Sequence, residues 1–330
     1  MRSILAVLIV FMHAFTCYNG SWKQPEGYVD IPLYKWLTRI SFAFTLEAFV
    51  FLSGYIFAFQ QITLDKTASF WNLTINKLKR LMLPSILFSA IYFAIFFSYK
   101  GFGNMCYSIV NGCGHMWFLP MLFWCFIGGW ILVKVKAKDW LKIAFLIALN
   151  LCAFFSLPLR ISSAFTYLVY FYGGYVIYKN KDRLIPAITR NHIIWRWLIF
   201  VFLFVLLRPL RDVLTSKGDV DVVTKAVMLI GNHACQLLYA SAGLIAFWAT
   251  IVHYTQKHEL KTFTIKIASS CFGIYLFQQF FLQLLYYKTG FPTLVGPYWL
   301  PWCGFAVAII LSYFSSDILL KTKVGKYLIG

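Results

Sequence analysis

Arg2 and His13 stand eleven residues apart in the opening MRSILAVLIVFMHAFTC. At 100° per residue, eleven residues make three helical turns plus about 20°, so both side chains share one helix face, separated by a rise of about 16 Å. Hydrocarbon tolerates an imidazole badly, and ionisable groups inside membrane helices are functional candidates by default. Three further groups of residues raise the same question. Glu47 interrupts the apolar run SFAFTLEAFVFLSGYIFAF. Lys77 and Arg80 stand in NKLKRLMLP, a basic cluster suited to phosphate. His115 and Trp117 stand in GCGHMWFLPML, at the outer end of another apolar run.

The elements that must position these groups are membrane helices. The chain is 61% hydrophobic, 20% aromatic and only 12% charged, and apolar stretches of spanning length recur along it. The opening segment has the basic start and short apolar run of an export signal. However, Ala14-Phe15-Thr16 is a poor cleavage site, and a signal has no use for His13. We read ten spans, near 2–19, 40–61, 81–99, 116–134, 141–157, 161–178, 193–208, 228–252, 268–287 and 300–320. With the N-terminus in the cytoplasm, 20 of the 30 basic residues fall on the inner side, Arg190 and Lys261 among them. This bias supports an even number of spans with both termini cytoplasmic. The fold expected is an all-α polytopic membrane bundle forming one domain over residues 1–330. The net charge of +19 lies in short clusters between apolar runs, which argues for membrane topology and against nucleic acid. The eight cysteines have no C-x-x-C spacing, so no metal site is expected. Cys106 and Cys113 flank one outer loop, and unpaired thiols are the expectation there.

If Arg2 marks the cytoplasmic edge, His13 lies near mid-membrane, about 14 Å below the outer edge. Glu47 lies about 10 Å below it. The depths match closely enough for a carboxylate to orient the imidazole.

These pieces, in this order, resemble the integral-membrane acyltransferase 3 family. Arg2-x10-His13 matches its Arg/Lys-x10-His motif. FVFLSG is similar to its F-F-x-x-S-G, with Val50 for the second Phe. Lys77-x-x-Arg80 is a conservative version of its R-x-x-R element, and HMWFLPML looks like its H-x-W-F-L segment. SSCFGIYLFQQ is similar to a stretch often followed by His, and here Gln278 and Gln279 stand in that place. Family members usually have several residues before the arginine, so the expected start lies upstream of Met1. The resemblance implies an O-acyltransferase of the cell membrane, in the bacterial inner membrane. It would move an acyl group, acetyl above all, from acyl-coenzyme A to a hydroxyl of a surface or exported glycan. Acetyl-CoA would be a co-substrate, with no permanently bound cofactor. On this reading Arg2, Lys77 and Arg80 gather the phosphates of coenzyme A at the inner mouth. His13 acts as general base or carries the acyl group, and the residues leave both routes open. Glu47 orients His13. His115 and Trp117, with Tyr28 and Trp36, face the sugar. The rival class is a transporter of a glycan or lipid-linked sugar, which intramembrane charge also fits. A haem or pigment protein would need paired intramembrane histidines such as His13 and His233.

Overall fold

The computed structural model describes residues 1–66, 69–189, 192–215, 221–259 and 262–329. Arg190 and Lys261 of the basic clusters and residues 216–220 of an outer loop lie outside these. The described residues form helices and no strand. In chain order these are α1 (Arg2–Ala14), α2 (Pro32–Phe42), α3 (Thr45–Ile62), α4 (Phe70–Lys77), α5 (Leu83–Phe96), α6 (Phe102–Asn111), α7 (Phe118–Lys134) and α8 (Asp139–Leu151). They continue with α9 (Ile161–Lys179), α10 (Lys181–Thr189), α11 (Ile193–Leu214), α12 (Val222–Lys257), α13 (Thr262–Tyr287), α14 (Phe291–Lys321) and α15 (Lys323–Ile329). Among the described residues seven helical runs are long and apolar enough to cross a membrane: Pro32–Ile62, Phe70–Phe96, Gly114–Lys134, Ile193–Leu214, Val222–Lys257, Thr264–Tyr287 and Phe291–Lys321. The protein is therefore a multi-pass membrane protein. Helices also occupy the other three segments read as spans, but fall short of that standard. α1 and α8 have 13 residues each, and α9 carries five tyrosines, which lower its hydropathy.

The chain divides into two compact units. The first comprises Met1–Thr45, Leu83–Met116 and Leu260–Gly330. Its core is built on α1, α13 and α14, with Val10, Ala14, Phe15, Ile274, Leu282, Tyr286 and Leu300 buried together. α14 is broken at Gly296, whose φ of +72° a side chain would resist. The break is put to use. Pro301 has no amide proton to give the Pro297 carbonyl, and that carbonyl accepts the Tyr18 hydroxyl instead, at 2.8 Å. Tyr34 donates to the next carbonyl, that of Tyr298, also at 2.8 Å. Tyr286 donates to the Ala14 carbonyl at 2.7 Å, where α1 ends and the usual helical donor is missing. Tyrosine hydroxyls thus satisfy the backbone groups that helix ends and prolines expose inside the apolar layer.

The second unit comprises Leu46–Met82 and Trp117–Glu259. Here α3 and α9 approach backbone to backbone. A β-carbon added at Gly54 would strike the carbonyl of Phe171, and one at Gly174 the carbonyl of Phe51. Small residues allow this approach where lipid supplies no hydrophobic drive between helices. The glycine of FVFLSG is therefore a packing residue. α4 ends in a widened π turn, Leu78–Met82. Pro84, which follows, cannot donate to the Arg80 carbonyl, and the wide turn absorbs the missing bond.

Candidate active site

His13 lies one residue before the end of α1 and is buried, 8% exposed. Its ring stacks on Trp22, with centroids 6.3 Å apart and planes 4° apart, and meets Phe42 edge-on at 6.0 Å. Its Nδ1 makes no hydrogen bond. The Arg2 that begins the same helix is exposed, so α1 carries a cation at one end and a buried imidazole near the other.

The sequence puts His115 at the outer interface, within reach of a sugar. The structure corrects this placement. His115 is 3% exposed, and its ring lies 6.2 Å from that of His13. The cause is local. Gly112 and Gly114 adopt φ of +81° and +57°, so the chain turns inward after α6. A β-carbon at Gly114 would lie 2.9 Å from Tyr92 Cε1 and 3.3 Å from Gln279 Oε1. Both ring nitrogens of His115 are engaged. Nδ1 meets Gln279 Oε1 at 3.0 Å, and Nε2 meets the Leu276 carbonyl at 3.1 Å. Tyr275 donates to the His115 backbone carbonyl at 2.5 Å, and Tyr92 donates to Gln279 Oε1 at 3.4 Å. The two histidines therefore differ in kind. His115 is fixed in place, whereas His13 has a nitrogen to offer.

The glutamine pair of α13 divides its work in the same way. Gln279 holds His115. Gln278 is completely buried, and neither its Nε2 nor its Oε1 closes a hydrogen bond. Its amide nonetheless approaches the His13 imidazole. The sequence gives Gln278 and Gln279 no role. Two adjacent amides inside an apolar helix are the signal that marks them.

The second unit holds the other expected residues. Glu47 is buried, 2% exposed, and its Oε1 accepts from Gln236 Nε2 at 3.2 Å, while Oε2 makes no hydrogen bond. It lies within electrostatic reach of Arg211. Arg211 Nε donates to Asn232 Oδ1 and its Nη1 to the Tyr239 hydroxyl, each at 2.5 Å. Asn232, Gln236 and Tyr239 share a face of α12 by their i, i+4, i+7 spacing. An arginine within an apolar run, facing an Asn-x-x-x-Gln pair, is the trace of this network in the sequence. Lys77 rests its ammonium on the Phe126 ring, 3.5 Å from the centroid, a strong cation–π geometry. Arg80, three residues on, is exposed. Trp117 is half-buried, with the Arg160 guanidinium 6.0 Å above its ring and Tyr167 beside it at 6.2 Å.

A helical membrane protein that buries ionisable groups between its helices is an enzyme or a transporter by class. Comparison with protein families decides between them. The acyltransferase 3 model, described as an acyltransferase domain, matches residues 1–321, a stretch that runs through both units. The chain belongs to this family and is a membrane acyltransferase. No curated protein and no solved structure matches it.

Proposed function

We propose that the protein transfers an acyl group, acetyl in the first instance, from acyl-coenzyme A to a hydroxyl of a cell-surface or exported glycan. On this reading it spans the bacterial inner membrane ten times as one functional domain, with both termini in the cytoplasm. On the same reading helices α1, α8 and α9 supply the three further crossings. Acetyl-CoA is a co-substrate drawn from the cytoplasm, and Arg2, Lys77 and Arg80 attract its phosphates.

The observation that carries the reading is the buried His13, with an unengaged nitrogen, on a helix that begins with an exposed arginine. Direct transfer suits this arrangement. His13 takes the proton of the acceptor hydroxyl as its oxygen attacks the thioester carbonyl, and returns that proton to the departing thiolate. An acyl-histidine route would need a second base to activate the acceptor. The adjacent imidazole, His115, already has both nitrogens in hydrogen bonds. Glu47 supports the reaction by orienting His13 or by holding the acceptor. Trp117 offers a ring face to a sugar.

The test has two arms. Purified protein in nanodiscs should move labelled acetyl from acetyl-CoA onto glycan of the source cell, and a deletion strain should lose O-acetyl groups from its surface glycan. His13→Ala, fully inserted, should abolish both. Unchanged glycan acetylation in the deletion strain, with no turnover by the purified protein, would sink the proposal.

A further inference from the structure

Gln278 carries a function that neither the sequence motifs nor the family assigns. It is 0% exposed, on a helix apolar enough to cross the membrane, and both ends of its amide lack a hydrogen bond. Leaving an amide unmet in such surroundings costs free energy that a methionine of similar volume would avoid. Buried polar groups are nearly always satisfied, so each exception needs a reason. Its neighbour Gln279 has one, since it holds His115. Gln278, next to the residue that holds His115, lies beside the His13 imidazole, which also has the Ile9 carbonyl near it, yet neither end of the amide nor His13 Nδ1 closes a hydrogen bond. Two unsatisfied polar groups thus converge beside a third, the fixed ring of His115. A ligand that meets the Gln278 Nε2–H and the imidazole must bring an oxygen to accept from the one and a proton to give the other. An acyl carbonyl and an acceptor hydroxyl, meeting at the point of reaction, bring one each.

We infer that Gln278 is a catalytic residue that binds the carbonyl oxygen of the acyl thioester, its Nε2–H donating to the oxyanion of the tetrahedral intermediate. The inference rests on transfer from acyl-coenzyme A as proposed above. The acceptor O–H gives its proton to His13, and the oxygen bonds to the carbonyl carbon. The carbonyl π pair moves onto oxygen, where Gln278 Nε2–H meets the charge. As that pair returns, the C–S bond breaks, and the coenzyme A thiolate takes the proton from the imidazolium. The products are an ester and a free thiol. A neutral, fixed donor suits the task because its interaction strengthens as charge develops, which favours the transition state over the bound thioester.

The test uses the full chain in nanodiscs and the variant Gln278→Met. Turnover of acetyl-CoA should fall about 10²–10³-fold, the usual loss for one oxyanion donor. Donor KM should stay within a few-fold, and the thermal midpoint should hold or rise because an unmet amide has been removed. A second measurement needs no turnover. With acetyl-CoA ¹³C-labelled at the thioester carbonyl bound to His13→Ala protein, the carbonyl infrared band should lie below its position in Gln278→Met/His13→Ala protein. Turnover of Gln278→Met within three-fold of the unaltered protein, or identical bands in the two variants, overturns the inference. A drop in turnover with a falling thermal midpoint and identical bands overturns it too, since it marks a structural role. If the unaltered protein neither binds nor turns over acetyl-CoA, the proposed function itself fails. If it turns over, His13→Ala is inactive and Gln278→Met is intact, only the role of Gln278 fails.

Discussion

Replacing each of the two buried histidines by leucine should separate activity from stability in opposite directions. His13→Leu keeps most of the volume against Trp22 and Phe42 and removes a nitrogen that makes no hydrogen bond. Nothing is orphaned, so the protein should unfold at an unchanged or slightly higher temperature. Its turnover should fall about 10²–10⁴-fold, the range for a lost general base. His115→Leu reverses the pattern of stability. It removes two hydrogen bonds, of 3.0 and 3.1 Å, and leaves Gln279 Oε1 with only the long contact from Tyr92 at 3.4 Å. Each lost bond is worth about 0.5–1.5 kcal/mol net, and an orphaned buried acceptor adds about 1–3 kcal/mol. The Leu276 carbonyl stays within its helix and adds little, so the expected loss is about 1.5–4.5 kcal/mol. Thermal unfolding in a fixed detergent, paired with acetyl-CoA turnover on the same preparations, reads both quantities. If His13→Leu is destabilised as much as His115→Leu, the assignment of one histidine as free and the other as fixed is wrong.

Other outcomes follow from the same contacts. Gly54→Ala should destabilise by about 1–3 kcal/mol, as overpacking does. Gly54→Ala/Gly174→Ala should cost less than the sum, because the first change already parts α3 from α9, and a double-mutant cycle in thermal unfolding measures the difference. Arg80→Ala should raise the KM for acetyl-CoA, and the effect should shrink at high salt. Lys77→Ala should do so more weakly, because its ammonium is shared with the Phe126 ring. Glu47→Gln should lower kcat with little change in donor KM. Combined with His13→Ala it should do no further harm if the two residues act as one unit, and multiplying losses would assign Glu47 to the acceptor. Asp221 caps α12 by accepting from the Thr224 hydroxyl and from the amides of Thr224 and Val223, which holds its carboxyl below the usual carboxylate range. That contribution is complete above the unfolded carboxylate pKa and is lost as pH falls through the lowered folded value. Amide exchange in the first turn of α12 should therefore rise only below about pH 4. Asp221→Asn should abolish that pH dependence.

The class of the protein was legible in the sequence because it depends on properties that add along the chain. Hydropathy in windows of spanning length placed a helix in each segment read as a span, although several helices begin or end well outside the bounds read, as Phe70–Phe96 and Phe291–Lys321 do, and the order of short motifs pointed to the family. The eleven-residue spacing of Arg2 and His13 needed only helical periodicity, and α1 runs unbroken between them. What failed to show in the sequence was every feature that depends on a turn or on a contact between distant segments. His115 reads as an interface residue because it begins an apolar run. Two glycines with left-handed backbone then fold it inward, and α13, some 160 residues further along, supplies its partners. Gln278 and Gln279 are indistinguishable as neighbours in a string, yet they point 100° apart on a helix. Tertiary packing alone decides that one amide is satisfied by His115 while the other faces His13. Arg211, Asn232 and Tyr239 likewise become a network only when α11 and α12 are laid side by side. Local periodicity sets which residues are in the membrane. Which buried polar groups find partners, and which are left free for chemistry, is a property of the packed fold.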